Sequence, residues 1–251
     1  MGSFEMGYGD LREIFEMPAR LYAIGDVHGC ALELKAMTNY LRTVEKIGSE
    51  DLVIFIGDYV DRGTAVREVI DHLVEFKRDF PRTIYLKGNH EDMLLGYLDL
   101  GGSEGEVYIQ NGGQTTLDSY GISVDMNAEE ALALFPKEHI EFLKSLERYV
   151  IIQQFVFTHA GLNPLRDLRA QLDQDLFWIR DEFIYNLHHF DKTVIFGHTP
   201  YEDVLMHLPY KIGIDTGVVY GNFLSCVELV SQRVLQVAAS AEKVTERRFE
   251  E

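Results

Sequence analysis

Cysteine is nearly absent: the 251 residues include only Cys30 and Cys226, whose separation matches no metal-binding spacing. A disulfide framework is therefore not expected, and Cys30 reads as a small packed residue and not as a redox switch. Positive charge is also scarce, with 23 Lys and Arg against 41 Asp and Glu and a formal net charge of −18. Binding of a nucleic-acid polymer needs a basic face, so that partner is not expected. No apolar run approaches the roughly 20 residues that span a bilayer. The first residues lack the basic and apolar regions of a signal peptide. No membrane partner is expected, and the expected compartment is the cytoplasm. There is no internal repeat and no low-complexity segment.

What is present is ordinary globular composition, 46% apolar and 25% charged, in a chain long enough for one α/β domain spanning 1–251. One stretch dominates. Leu52 to Ile56 is an unbroken apolar run, as expected of a strand buried on both faces. Gly57, Asp58, Tyr59, Val60, Asp61, Arg62 and Gly63 follow it directly. Charges at the end of a buried strand need partners, and the carboxyl end of a strand in an open α/β sheet is where ligands bind. Leu21–Gly29, Thr83–Glu91, Phe155–Gly161 and Val194–Thr199 repeat the pattern, each ending an apolar run in Asp, Asn or His. Five such strand ends point to one shared metal site.

Between these strands, Leu34, Met37, Leu41 and Val44 form one helix stripe, and Val66, Val69, Leu73 and Phe76 another that stops before Pro81. The alternation of strand, loop and helix indicates a largely parallel sheet. Residues 96–147 change texture, with helices expected at 114–120, 128–134 and 137–147, Asn127 as an N-cap and Pro136 at a helix start. This region reads as a helical insertion beside the site. The turn signal Asn111-Gly112-Gly113 reads as an ordinary turn. Strands are expected at Tyr149–Ile152, at Lys211–Ile214, and at Phe223–Val230 and Arg233–Ala239, the last two joined by a turn at Ser231-Gln232. Met1–Ala19 reads as a loose lead-in and the charged tail from Glu242 as frayed. The fold expected is α/β (α+β by some schemes): a two-layered mixed β-sheet sandwich flanked by helices.

Asp26 and His28 can turn toward one cation, Asp58 can bridge two, and Asn89, His159 and His198 add neutral ligands. Mixed nitrogen and oxygen donors suit Mn²⁺, Fe or Zn²⁺ better than Ca²⁺. Two such ions roughly 3.5–4 Å apart can clamp a phosphoryl group and activate a bridging water. Glu91 reads as first-turn helix charge. His72, His139, His188, His189 and His207 read as solvated or structural.

Gly25-Asp26-Val27-His28-Gly29, Gly57 to Gly63, Gly88-Asn89-His90-Glu91, His159-Ala160-Gly161 and Gly197-His198 resemble, in order, the motifs of the calcineurin-like metallophosphoesterases. The form of the second motif is similar to that of the phosphoprotein phosphatase group, and within it to bacterial and phage enzymes of the lambda-phosphatase type. The resemblance implies one metal on Asp26, His28 and Asp58 and another on Asp58, Asn89, His159 and His198. It implies Mn in vitro, and Fe with Zn, or Mn, in vivo. It makes His90 the general acid, held by Asp61, and gives phosphate binding to Arg62, Asn89 and, after Trp178, Arg180. The expected activity is a phosphomonoesterase, a serine/threonine protein phosphatase, working by direct attack of a metal-bridging hydroxide. The alternative is a symmetrical dinucleoside polyphosphate hydrolase or a small-molecule phosphatase. A catalytically silent metal-binding module is disfavoured by the intact Asp61, Arg62 and His90. The bacterial form of the segment from Asp215 to Gly221 leaves the role of Tyr220 open.

Overall fold

The computed structural model describes residues 5–8 and 11–249. Residues 1–4, 9, 10, 250 and 251, with those parts of the expected lead-in and tail, lie outside the described residues. The first half runs β1 (Glu5–Tyr8), β2 (Leu11–Ile14), β3 (Leu21–Ile24), α1 (Ala31–Thr43), β4 (Leu52–Phe55), α2 (Val66–Asp79), β5 (Thr83–Tyr85) and α3 (Asn89–Tyr97). Two short 3₁₀ turns lead to α4 (Gln114–Tyr120), α5 (Ala128–Leu132) and α6 (Lys137–Lys144). There follow β6 (Tyr149–Ile152), β7 (Phe155–Thr158), α7 (Asp173–Trp178), α8 (Asp181–Ile184), β8 (Thr193–Phe196), β9 (Leu205–His207) and β10 (Lys211–Gly213). The chain closes with β11 (Phe223–Glu228), β12 (Arg233–Ala238) and β13 (Val244–Arg248).

Among the described residues these strands form two mixed sheets, β1-β2-β6-β7-β8-β10-β9 and β13-β12-β11-β3-β4-β5. The strand sequences explain the layering. Every residue of β3 and β4 is buried, and alternate residues enter different cores. Val53 and Phe55 face α1 and α2 together with Tyr22 and Ile24, whereas Leu52, Ile54 and Ile56 face the other sheet with Leu21 and Ala23. In β8, Ile195 joins that inter-sheet core, while Val194 and Phe196 pack outward with Leu176, Phe177 and Phe183 near α7 and α8. The layers are therefore helix, sheet, sheet, helix. A strand covered on both faces shows no alternation of apolar and polar residues.

The helices follow their stripes. In α2, Val66, Val69, Ile70, Leu73 and Phe76 are buried at helical spacing. Asn127 caps α5, its side chain accepting from the Glu130 amide at 3.0 Å, and Pro136 stands at the N-cap of α6. Val44 leaves the expected stripe, because it lies one residue beyond α1 and is exposed. Two expectations at the ends of the chain are corrected. Leu11–Ile14 is a strand, parallel to β6 with Leu11 opposite Tyr149. Val244–Arg248 is an edge strand antiparallel to β12. The strand β9 was also not foreseen. The hairpin at Ser231-Gln232 forms as expected, with Gln232 at φ +57.

Parallel pairing of β3 with β4, β4 with β5, and β7 with β8 brings the carboxyl ends of these strands to one rim. The loops that carry the polar motifs leave from that rim. Among the described residues, no helix is long and apolar enough to cross a membrane.

Candidate metal centre

The rim gathers all six expected ligands. Asp26 and His28 follow β3, Asp58 follows β4, Asn89 opens α3, and His159 and His198 follow β7 and β8. All six are buried. The two oxygens of Asp58 face different groups. Oδ2 lies 3.3 Å from His28 Nε2, and Oδ1 lies 3.4 Å from His159 Nε2. Donor atoms of His28, Asp58 and His90 lie within 4.8 Å of one another, and so do those of Asp58, His159 and His198. Asp58 is the shared member. In the first group the geometry offers His90 where the sequence expectation has Asp26, which stands alongside with its Oδ1 buried and unpartnered.

The imidazoles are turned for coordination. His28 Nδ1 bonds the Val60 carbonyl at 2.8 Å, and His159 Nδ1 bonds that of Ile56 at 2.9 Å. A carbonyl only accepts, so each Nδ1 carries the proton and each Nε2 keeps a lone pair. His159 Nε2 and His198 Nδ1 each lie 3.0 Å from Asn89 Oδ1, and His198 Nε2 is buried without a partner. Lone pairs crowded together, with two orphaned atoms beside them, fit divalent cations held by nitrogen and oxygen.

The electrostatics agree. Burial, then the neighbouring Asp215 and Asp58, push the Asp26 carboxyl well above the usual range. Burial would also raise Asp58, but the imidazoles of His159, His90 and His28 outweigh it and hold that carboxyl well below. Burial lowers both His159 and His198, favouring the neutral rings that ligate metals. Asp215 is a further buried carboxylate here and accepts from the Gly217 amide at 2.9 Å.

The loops are held under strain. Of the ten residues singled out from sequence, His28, Asp58, Asp61, Arg62 and His198 adopt positive φ, between 43 and 68. Non-glycine residues do so in only a few per cent of cases, at about 1–3 kcal/mol each. Glu91 supplies much of the restraint. Its carboxylate accepts the amides of Asp58 at 2.9 Å, Tyr59 at 2.7 Å, Val60 at 3.1 Å and Gly88 at 2.9 Å. Burial and the Asp58 charge push it up to about 7 despite these bonds. It is thus more than first-turn charge: it ties two ligand loops together. Gly88 is required at its place, because a Cβ there would collide with Asp58 Oδ1.

His90 Nδ1 lies 2.7 Å from Asp61 Oδ2, with Nε2 turned inward, 4.0 Å from Asp58 Oδ2. The other Asp61 oxygen accepts from Tyr108 at 2.8 Å and Thr116 at 2.6 Å. These two residues, on the helical insertion, were missed from sequence. The Asn111-Gly112-Gly113 turn also takes part, since the Gly112 carbonyl accepts the Arg62 amide at 3.2 Å. The Arg62 guanidinium donates to His28 Nε2 at 2.6 Å and lies 5.8 Å from the ring centre of exposed Tyr220. Arg180 is exposed beside Thr199, 3.4 Å from its hydroxyl. Away from the rim, His139 is buried between Tyr120 and Asp71, and burial raises Cys30 to about 12, which makes it an inert thiol.

The family model for calcineurin-like phosphoesterases matches residues 19–221. A curated relative from Halalkalibacterium halodurans, named an asymmetrical bis(5′-nucleosyl)-tetraphosphatase, is 27% identical over 247 residues, covering 89% of this chain and 96% of its own. A crystal structure provisionally named as a diadenosine tetraphosphatase superposes with TM-score 0.68 at 21% identity, over 92% of this chain and 99% of that one. The cold-active protein tyrosine phosphatase of a psychrophilic Shewanella superposes with TM-score 0.60 at 18% identity, over 95% and 82%.

Proposed function

The chain belongs to the calcineurin-like phosphoesterase family, and from that premise we propose that it is a two-metal hydrolase of dinucleoside polyphosphates. The observation that carries the metal chemistry is Asp58, whose two oxygens face two separate groups of imidazoles. The substrate class rests on the relative named a bis(5′-nucleosyl)-tetraphosphatase, matched over nearly the full length of both chains.

In this reading Asp26, His28 and Asp58 hold one cation, and Asp58, Asn89, His159 and His198 the other. Such a pair, when bound, polarises the phosphoryl group and makes water a nucleophile at neutral pH. The chain's own residues do the rest. Arg62 and Arg180, with Asn89, grip the phosphate oxygens and bring positive charge to the rim of an acidic protein. The protonated Nδ1 of His90 stays with Asp61, and its Nε2 carries the proton to be given to the leaving oxygen.

A second reading, a phosphoserine or phosphothreonine phosphatase, is favoured by the His90–Asp61 pair itself. An alkoxide needs a proton to leave, whereas the phosphate expelled from a polyphosphate is a far weaker base. The test is a rate comparison with Mn²⁺-loaded enzyme on diadenosine tetraphosphate, phosphoserine peptides and para-nitrophenyl phosphate, with products resolved chromatographically. AMP and ATP as the main products, at a kcat/KM well above that for the peptides, is the expected result. Dominant peptide turnover would replace it with the second reading.

Arg62→Ala should lower kcat/KM by about 2–4 kcal/mol of transition-state stabilisation, the effect of removing one preorganised donor. Arg180→Ala should do the same. Unaltered inhibition by inorganic phosphate in the Arg180 variant would return that residue to a surface role.

A further inference from the structure

A cavity of about 320 Å³ opens between the helical insertion and α7, lined by Glu104, Val107, Gln110, Asn111, Gln174 and Trp178. None of these residues was needed for the metal site, yet both walls touch it. Trp178 is half-buried, and its ring meets that of His198 edge-on, with centroids 6.1 Å apart. It packs against both outer cores, which hold the indole in place. On the opposite wall Asn111 adjoins Gly112, whose carbonyl holds the Arg62 amide. A phosphate gripped at the rim therefore has this cavity beside it, bounded by the same two loops.

The lining has a definite chemistry. It offers one broad aromatic face, an aliphatic side chain and three carboxamides, with no lysine or arginine and one acid. A phosphate is not attracted to it. A flat heterocycle is, because it can stack on indole while carboxamides meet the donors and acceptors on its edge. Gln110 and Gln174 are exposed at the mouth and free to turn toward such an edge. The Asn111 amide is already spent on the Val107 carbonyl at 2.9 Å, which leaves its oxygen as an acceptor.

We propose that this cavity is the nucleobase subsite, in which a purine of the substrate stacks on Trp178 while its 5′-phosphate lies at the metal centre. The assignment rests on the dinucleoside polyphosphate reading. It explains how a chain of net charge −18 could select a polyanion with two nucleosides: the cations and arginines take the phosphates, and a pocket without basic side chains reads the base.

The test uses the fact that Trp178 is the sole tryptophan of the chain. Its fluorescence in the intact, Mn²⁺-loaded protein reports directly on this cavity. AMP should quench it saturably, and ribose 5-phosphate and inorganic phosphate should not. In kinetics, the ratio of kcat/KM for diadenosine tetraphosphate to that for para-nitrophenyl phosphate should fall in Trp178→Ala by a factor on the order of 5–150, the range for loss of one stacked base. Trp178→Phe should restore most of the ratio. Gln110→Ala and Gln174→Ala, at exposed positions that do not endanger folding, should lower it more mildly. Equal fluorescence responses to AMP and ribose 5-phosphate, or an unchanged ratio in all the variants, would overturn the subsite. Selective quenching by AMP in an enzyme that leaves the tetraphosphate intact would instead refute the substrate reading and keep the pocket as a nucleotide site.

Discussion

Asp58→Asn should emerge from reconstitution with Mn²⁺ carrying less than one tightly held ion per chain, where the native protein carries about two. The expectation follows from the two oxygens facing two groups of imidazoles, so that one substitution weakens both positions at once. His28→Ala removes a donor from one group only and should mainly empty one position. Turnover of Asp58→Asn should drop by a factor on the order of 10³ or more, since bound metal provides several kcal/mol of transition-state stabilisation. Elemental analysis gives the stoichiometry. Thermal melts give an independent reading, because an ion bound only to the folded state stabilises it by mass action, by about 2.7 kcal/mol at a hundredfold excess over Kd, and so raises Tm. Mn²⁺ should therefore shift the native melt strongly and that of Asp58→Asn little. A variant that keeps two tight ions and its melting shift would show that Asp58 does not bridge.

The second large effect belongs to His90→Asn, and its size should depend on the substrate. His90 can serve either as the acid held by Asp61 or as a ligand grouped with His28 and Asp58. If it is the acid, metal content stays near normal and the loss follows the basicity of the departing oxygen. A phosphoserine peptide should lose about 10²–10⁴-fold, the range of acid–base catalysis. Nitrophenyl phosphate and a dinucleoside tetraphosphate, whose leaving groups depart as weak bases, should lose clearly less. Asp61→Asn should show the same ranking, more mildly. Equal losses on all substrates with metals retained would mean that His90 orients water or phosphate. Loss of metal along with activity would make it a ligand.

The gathering of these residues at one rim could be read in the sequence because the residues expected as ligands sit where apolar runs end, and a strand buried on both faces is hard to mistake. Asp26, Asp58, His159 and His198 each follow such a run within a few residues. The supports of those residues could not be read in the same way. Tyr108 and Thr116 reach Asp61 from 47 and 55 residues away, on a segment whose local signals are only turns and short helices. Glu91 is legible as helix charge, but three of its four amide partners, Asp58, Tyr59 and Val60, depend on where β4 lies beside α3. The missed strands share a different cause. In β9 and β13 most residues are half-buried or exposed, so a neighbour's backbone and not an apolar pattern makes them strands.

The order of strands in the second sheet also bears on how the chain comes off the ribosome. The strand β3, which leads directly to Asp26, is made before both of its neighbours, and one of its edges pairs with β4 soon afterwards. Its other edge is filled by β11, with Cys226 opposite Ile24, only after the elements from β4 to β10 have been made. Until then an apolar strand bearing a metal-loop aspartate stands with an open side, the kind of edge that recruits foreign strands. The hairpin of β11 and β12 carries none of the proposed metal or phosphate contacts, yet a chain cut before Phe223 would lose that seal. Molecules that lack β11 therefore keep that edge open, and the β11–β12 hairpin closes a site whose first loop follows β3.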